Sequence, residues 1–568
     1  MSDARIKSAL ERTLRKMGVH EAEIRLERPR DPSHGDWATN LPLTLASQLR
    51  KPPRVIAQEI ADGLDVVEAG IVAVEVAGPG FLNFRLSSGA VAEVILQILS
   101  GNRAYGRKGN GAGQPIMVEF VSANPTGPLH LGHGRQAALG DAISSLLEWT
   151  GWSVHREFYY NDAGKQIELL AMSVWARYQE LLGETAEVPE GGYMGEYVRD
   201  IARELFSSEG DRFRGDRSAE SLDFMREFAV GALREEQDRD LEEFRLSFDE
   251  YFLESSLYAD GLVESTIQAL KETGLVYEKD DAVWLRTTEY GDQKDRVMVR
   301  GDGNPTYFLP DVAYHMTKWD RGFRHVINVQ GADHHSTVTR VRAGLQTLGL
   351  PEGYPEYVLH QMVTVERDGK EVKFSKRAGS YITLKELFSE VGVDVARYFF
   401  LMRKPEAHLV FDLDVALDQS EKNPVFKVQY AHARICSIFR KGEVDGSQIR
   451  AEMANLEGLS HPLERDLIKR LADFPETVER AASARAPHVL CDFLEQTAGA
   501  VNSWYHAGNP SRSPELAVLV EDPSLREARL ALARSVQIVL RNGLEILGVS
   551  APTRMDRPEE ETEEEEDV

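Results

Sequence analysis

IMVEFVSANPTGPLHLGHGRQAALGDAISSLLEWTG, residues 116–151, decides how this chain folds. It opens on a short apolar run at 116–120 and passes through a loop of proline, threonine and glycine. It continues as helical text with Leu139, Ile143, Leu146 and Leu147 on one face. A second run with aromatics, SVHREFYYND at 153–162, follows. Parallel neighbours need a long crossover, and a helix supplies it, so strand, tight loop, helix, strand is the unit of a parallel sheet. This segment predicts the centre of an α/β domain.

The same pattern returns downstream. HVINVQGADHH (325–335), TVTRVRAGLQTLG (337–349) and EYVLHQMVTV (356–365) read as strand, helix and strand. Between the two blocks, 164–258 is mostly long, charged helical text, and 275–309 reads as hairpins inserted into the sheet domain. On the N-terminal side an amphipathic helix at 4–17 is followed by a turn-rich loop, RPRDPSHGDWATN at 28–40. A helix at 53–63 and two strands, IVAVEVAG and GPGFLNFRLS, complete a small α+β module. The glycine-rich stretch 101–114 reads as a linker. After about Phe411 no strand signal remains, and apolar positions recur at helical spacing to about Gly548, as in a bundle. The expected division is therefore 1–108, 109–410 with insertions at about 165–300, 411–555, and a disordered acidic tail at 556–568.

Composition narrows the function classes. At about 150 residues per domain, 568 residues make three or four domains. No apolar run approaches the roughly 18–20 residues of a membrane span, and the N-terminus has no signal-peptide core, so no membrane partner is expected. Two distant cysteines, Cys436 and Cys491, exclude a disulfide scaffold and a cysteine-built zinc site, and fit a cytoplasmic location. The net charge of −26 argues against a general polyanion binder, so any nucleic-acid surface must be a local basic patch. Nine acids stand against two arginines in the last eighteen residues. That tail reads as a solvated, solubilising segment or, more sharply, as a competitor of nucleic-acid phosphates at low salt.

Two short motifs carry chemistry. His130-Leu131-Gly132-His133 stands at the strand-to-helix junction, where unpaired N–H groups and the positive dipole end suit a phosphate. Gly132 lets a flat base approach without a Cβ in the way. The second motif is Lys373-Phe374-Ser375-Lys376-Arg377 in a loop. Alone it reads as a solvated basic loop. Two lysines flanking a serine are also suited to closing over a triphosphate and stabilising a departing pyrophosphate.

Together, HLGH and KFSKR resemble the paired HIGH and KMSKS signatures of class I aminoacyl-tRNA synthetases. VEFVSANPTGPLHLGHGRQAALGDAI, FYYNDAG, NPTYFLPDVAYH, GADHH and NPVFKVQYAHAR narrow the likeness to the arginyl-tRNA synthetase family. The resemblance runs from HGDWATN near residue 34 to APTRM at 555. Phe374 departs conservatively from the usual methionine, and the acids after Met555 are not part of the family pattern.

The resemblance implies a multidomain α/β protein. A Rossmann-type catalytic domain carries helical and hairpin insertions, flanked by an N-terminal tRNA-contacting module and an all-α anticodon-binding bundle. It implies an arginine–tRNA ligase using ATP with Mg²⁺, with L-arginine and tRNA(Arg) as partners, working as a monomer and needing tRNA to form the adenylate. His130 and His133 are expected on the α-phosphate, and Lys373 and Lys376 on the departing phosphates. Leu131, Gly132, Gly331, Asp333, Phe374 and Ser375 are expected around ATP. Asp311 and Glu254 are expected to accept the guanidinium fork with Tyr307 beside it, because a planar fork of donors needs carboxylates. Glu119 and Asn124, and less directly Gln330, are expected at the α-amino and carboxylate end. Tyr430 and Met555 correspond to anticodon contacts, though a tyrosine on an amphipathic helix is more often core. Trp37 is divided evenly between tRNA stacking and core. No protein-built metal site is expected. The competing classes are a nucleotidyl transferase without an RNA substrate, disfavoured by the chain length and QYAHAR, and a non-catalytic tRNA-binding relative, disfavoured by the intact motifs.

Overall fold

The computed structural model describes residues 2–29, 31, 34–162, 164–372, 381–450, 456–509 and 513–555. KFSKR, with the expected site residues Lys373, Phe374, Ser375 and Lys376, and the acidic tail lie outside the described residues.

Five strands form one parallel sheet in the order Glu356–His360, Val326–Gly331, Pro115–Glu119, Ser153–Tyr160, Glu250–Leu253. The chain starts in the middle, runs to one edge, then crosses back to fill the other side. The reversal falls between Pro115–Glu119 and Val326–Gly331. In such sheets a ligand seats beyond the carboxyl ends of the strands at the reversal. The helix Leu131–Trp149 makes the first crossover. Its predicted apolar face is buried, and so is most of its other side, because it packs between the sheet and the helix Val393–Leu401.

The structure corrects four local readings. The edge strand Glu250–Leu253 lies within what reads as helical text. It has only four residues and follows an acidic helix, too short to show alternation. EYVLHQMVTV is two strands rather than one. The chain turns at Gln361–Met362, and Val363–Arg367 joins a separate three-stranded sheet beside Leu409–Asp412. The glycine-rich stretch is no loose tether. Lys108, Gly111 and Gly113 donate backbone N–H groups to the carbonyls of Trp149, Thr150 and Gly151, binding it along the end of the first crossover helix. The WAT of HGDWATN is a strand, Trp37–Thr39, on the edge of a three-stranded antiparallel sheet with Phe81–Leu86 and Ile71–Ala77.

The inserted helices Lys165–Leu181, Glu196–Glu209 and Ala219–Glu243 share a core of their own around Leu170, Val174, Tyr178 and Leu233. A single larger core runs from the N-terminal module through the sheet domain into the bundle, joining Leu10, Ile95, Leu146 and Leu540. Arg397 is fully buried where three parts meet. Its guanidinium donates to the Leu547 carbonyl (3.1 Å), the Phe244 carbonyl (2.6 Å) and the Asp141 carboxylate.

The N-terminal module is fastened to the bundle helix Pro462–Ala472 by polar contacts. Asp36 is buried, accepts the Leu86 N–H at 2.5 Å and pairs with Lys469. Arg28 donates to both oxygens of Asp473 and lies 4.2 Å from the centre of the buried Trp37 ring. Trp37 is therefore core. Asp36→Ala leaves an amide and an ammonium without their acceptor, and is expected to lower the unfolding free energy by about 2–3 kcal/mol. Calorimetry of the variant against the parent protein checks this; an unchanged midpoint would deny the contact a role in stability.

Candidate active site

The first crossover helix begins with its two histidines locked together. His130 is the N-cap, with extended backbone, and its Nδ1 accepts the N–H of His133 at 3.3 Å. The Nδ1 of His133 accepts the N–H of His130 at the same distance. The spacing i, i+3 is what makes this reciprocal cap possible, and it stacks the rings 3.6 Å apart at 13°. Gly132 has a second reason to be glycine: a Cβ there would lie 2.8 Å from Cε1 of His130. Burial pushes both imidazoles below their ordinary pKa, His133 furthest, with His130 and His360 adding to the effect. Each ring is therefore neutral at pH 7. With Nδ1 accepting, its proton sits on Nε2, and two N–H donors stand beside the open amides of a helix start. An anion is what such a site stabilises.

These histidines line an open cleft of about 1100 Å³ with Gly331, Asp333, His360 and Tyr381. Leu131 and Gly132 belong to its wall, and Gly331 ends the strand across the reversal. Val372 and Tyr381, the described residues on either side of the KFSKR segment, line the same cleft. The chain returns from that segment stitched to the histidine loop. Leu384 donates its N–H to the Leu129 carbonyl at 2.8 Å, and Tyr381 donates to the Pro128 carbonyl at 3.2 Å and sets its ring edge against His130.

A second group of residues gathers at the same end of the sheet. The chain leaves Pro115–Glu119 through Val121 and Ser122, both left-handed at φ 68° and 43°. A β-branched residue there is a steric outlier, of the kind concentrated at functional sites. The bend brings the Ser122 hydroxyl onto Glu119 Oε1 (3.1 Å), where it also accepts the Tyr159 N–H (3.2 Å). Asn124 donates its amide to Gln166 at 2.7 Å, and the carbonyls of Asn124 and Gly127 accept from Gln237. The inserted helices thus clamp the NPTGP loop.

Three carboxylates converge here. Asp311, in the first turn of the helix Phe308–Asp320, is pushed up to about 7 by burial, then by Glu254 and Glu119, with Arg340 and Lys318 opposing. Burial also raises Glu254, and the Tyr159 hydroxyl opposes that rise. Such a surplus of negative charge suits a cation. Gln330 Oε1 is buried with no partner among the described residues, a polar atom suited to a donor from a ligand. Tyr307 is 73% exposed at the helix start, and Tyr258 lies within electrostatic reach of it, of Glu254 and of Asp311.

His155, Glu157 and Glu250 also cluster, but Arg321 donates to both carboxylates at 2.6 Å and Tyr314 to Glu157 at 2.6 Å. Burial would raise Glu157, yet His155, Lys318, Arg321 and Tyr314 hold it down to about 2. This is an ion-pair network filled by Arg321 rather than a metal cage.

In the bundle, Tyr430 lies half-buried on the helix Pro424–Lys441, stacked on Phe426 with the Arg434 guanidinium 4.5 Å from its ring centre. The segment leading to Met555 runs along the same helix. Gln429 donates to the Ser550 carbonyl and Arg440 to the Thr553 carbonyl.

Sequence reading missed Ser122, Tyr159, His360 and Lys318. The one available signal was the row Asp311, Tyr314, His315, Lys318, spaced as one helix face.

A parallel sheet that reverses beside an HxGH helix start, with a helical bundle behind it, defines a class I aminoacyl-tRNA synthetase. Methionyl-tRNA synthetase of Mycobacterium tuberculosis shares this fold (TM-score 0.52, 14% identity, 76% of this chain and 91% of that one). The class narrows on three matches: "Arginyl tRNA synthetase N terminal domain" over residues 4–86, "tRNA synthetases class I (R), catalytic domain" over 94–410, and "DALR anticodon binding domain" over 428–555. The chain is 51% identical over 544 residues to an arginine–tRNA ligase of Geotalea daltonii, covering 94% of this chain and 95% of that protein. It is 48% identical over 590 residues to that of Ralstonia nicotianae, covering 96% and 97%. The arginyl-tRNA synthetase of Thermus thermophilus superposes with a TM-score of 0.74 at 25% identity, covering 97% of this chain and 99% of that one. The chain belongs to the arginyl-tRNA synthetase family.

Proposed function

We propose that the chain is an arginine–tRNA ligase working through the two groups of residues above. The α-carboxylate of L-arginine attacks the α-phosphorus of ATP, forming arginyl-adenylate as pyrophosphate leaves. A hydroxyl of the 3′-terminal ribose of tRNA(Arg) then attacks the arginyl carbonyl and AMP leaves. His130 and His133 donate Nε2–H to the α-phosphate as it becomes crowded with negative charge. Lys373 and Lys376 hold the departing phosphates, with Phe374 and Ser375 beside them. Leu131, Gly132, Gly331 and Asp333 bound the nucleoside. Asp311 and Glu254 take the guanidinium under Tyr307, while Glu119, Asn124 and Gln330 serve the α-amino and carboxylate end. Tyr430 and Met555 face the anticodon, where unpaired bases are read by stacking. Mg²⁺ arrives with ATP as part of the substrate. The enzyme works as a cytoplasmic monomer; among the described residues, no helix is long and apolar enough to cross a membrane.

One observation carries this reading. A neutral pair of imidazole donors and a trio of converging carboxylates lie beyond the strand ends of one sheet, which supports a reaction that brings a cationic substrate to a reacting phosphate. The test is attachment of labelled arginine to total tRNA with MgATP, with lysine as control and pyrophosphate exchange measured with and without tRNA. Arginine charging without lysine charging is the expected result, with exchange only when tRNA is present. A folded protein that binds tRNA and charges nothing would be a non-catalytic relative.

A further inference from the structure

The helix Phe308–Asp320 carries a polar row of which the chemistry above uses only Asp311; Tyr314, His315 and Lys318 are buried. Asp311, Tyr314, His315 and Lys318 fall at i, i+3, i+4 and i+7, one helical face. Lys318 has no exposed surface. Its ammonium donates to Glu119 Oε2 at 2.5 Å and Asn328 Oδ1 at 3.2 Å, and stands 4.1 Å from the centre of the Tyr314 ring. Asn328, fully buried on the strand Val326–Gly331, turns its amide to His315 Nε2 at 2.6 Å. His315 Nδ1 in turn lies 2.7 Å from the Asp311 carbonyl. Burial drives the pKa of His315 well below its ordinary value, so the ring is neutral. The amide of Asn328 then donates to Nε2, and Nδ1–H donates to Asp311.

The continuous path is Glu119, Lys318, Asn328, His315, Asp311. A buried ammonium is costly in a core, and an apolar side chain of similar volume would often serve stability as well. What the ammonium supplies that methionine does not is a fixed direction for the carboxylate it holds. Ser122 takes the other Glu119 oxygen, so the carboxylate plane is set from both sides.

We infer that Lys318 is a positioning residue for arginine: it aims Glu119 at the α-ammonium group and, through Asn328 and His315, fixes the helix turn that presents Asp311 to the guanidinium. One polar row thereby sets the distance between the receptors for the two ends of the substrate. The inference rests on the assignment of Glu119 and Asp311 to the arginine pocket made above.

The test is charging kinetics of the full chain with Lys318→Met, Lys318→Arg, Asn328→Ala, Glu119→Gln and Asp311→Asn. Lys318→Met is expected to raise KM for arginine by about 30-fold, leaving KM for ATP within about twofold. Lys318→Arg restores a charged donor and should recover most of that loss. Combined with Glu119→Gln, Lys318→Met should add little, because the two act through one contact. Should Lys318→Met fail to fold, Asn328→Ala cuts the path without stranding a charge, and is expected to raise KM for arginine by about fivefold. An arginine KM unmoved by Lys318→Met or by Asn328→Ala, or parallel rises for arginine and ATP, overturns the inference. A response to Asp311→Asn with none to Lys318→Met removes Lys318 alone. No response to Asp311→Asn removes the pocket assignment.

Discussion

Replacing His133 with alanine is expected to lower turnover in arginine charging by about 10²–10³, with a much smaller change in KM for arginine. The reciprocal cap leaves each imidazole one free donor, Nε2–H, beside the open amides of the helix start. Such a donor acts on charge that develops at the α-phosphate in the transition state, so its loss falls on kcat rather than on ground-state binding. Burial holds His133 well below its ordinary pKa, so it works as a neutral donor rather than as an imidazolium. The turnover–pH profile should accordingly show no step near the ordinary histidine value. His133→Gln, whose amide nitrogen reaches the Nε2 position, should recover part of the rate. Steady-state charging and pyrophosphate exchange read both constants. A loss confined to binding would refute the assignment.

Asp311→Asn is the second large effect, and it falls on the amino acid. The variant keeps size and shape but removes the charge facing the guanidinium, and kcat/KM for arginine is expected to fall by about 10²–10³. The same carboxyl gives the parent enzyme a pH signature. In the empty site it is pushed up to about 7, and only its ionised form pairs with a guanidinium. Arginine binding therefore weakens as pH falls through 7 and strengthens above it. Below that point KM should rise by about tenfold per pH unit until Glu254, also raised by burial, begins to protonate and steepens the loss. Asp311→Asn should flatten the first part of this profile. Arginine KM measured from about pH 5.5 to pH 8.5 in both proteins settles it; identical profiles would remove Asp311 from the pocket.

The sheet's middle was legible because the apolar run at 116–120, its tight loop and the one-faced helix after it each point to the same local structure. The edge strand Glu250–Leu253 was not. Four residues cannot display a period, and only the presence of Ser153–Tyr160 as a neighbour makes them a strand. Trp37 was ambiguous for a related reason: its burial depends on Arg28 and on a bundle helix more than four hundred residues away. In the site, HLGH and KFSKR were readable as short, dense strings, and the carboxylates came by likeness to a family. The left-handed bend at Val121 and Ser122 left no mark, since valine is the last residue expected there. Lys318 was hidden differently. A lysine on a helix is read as solvated, and only the strand carrying Asn328 and Glu119 makes that face an interior.

Arg397 bears on how far the molecule can be divided. Its three bonds reach the first crossover helix, the end of the inserted helices and the last turn of the bundle, in a spot where Gly548 leaves no room for a Cβ. A fragment ending near residue 410 would keep the guanidinium and Asp141 but lose the Leu547 carbonyl and the apolar cover over them. An isolated bundle would expose the surface that had covered them. The family's three modules can be told apart in sequence, yet a cut between the sheet domain and the bundle uncovers the buried guanidinium on one piece and the surface that covered it on the other.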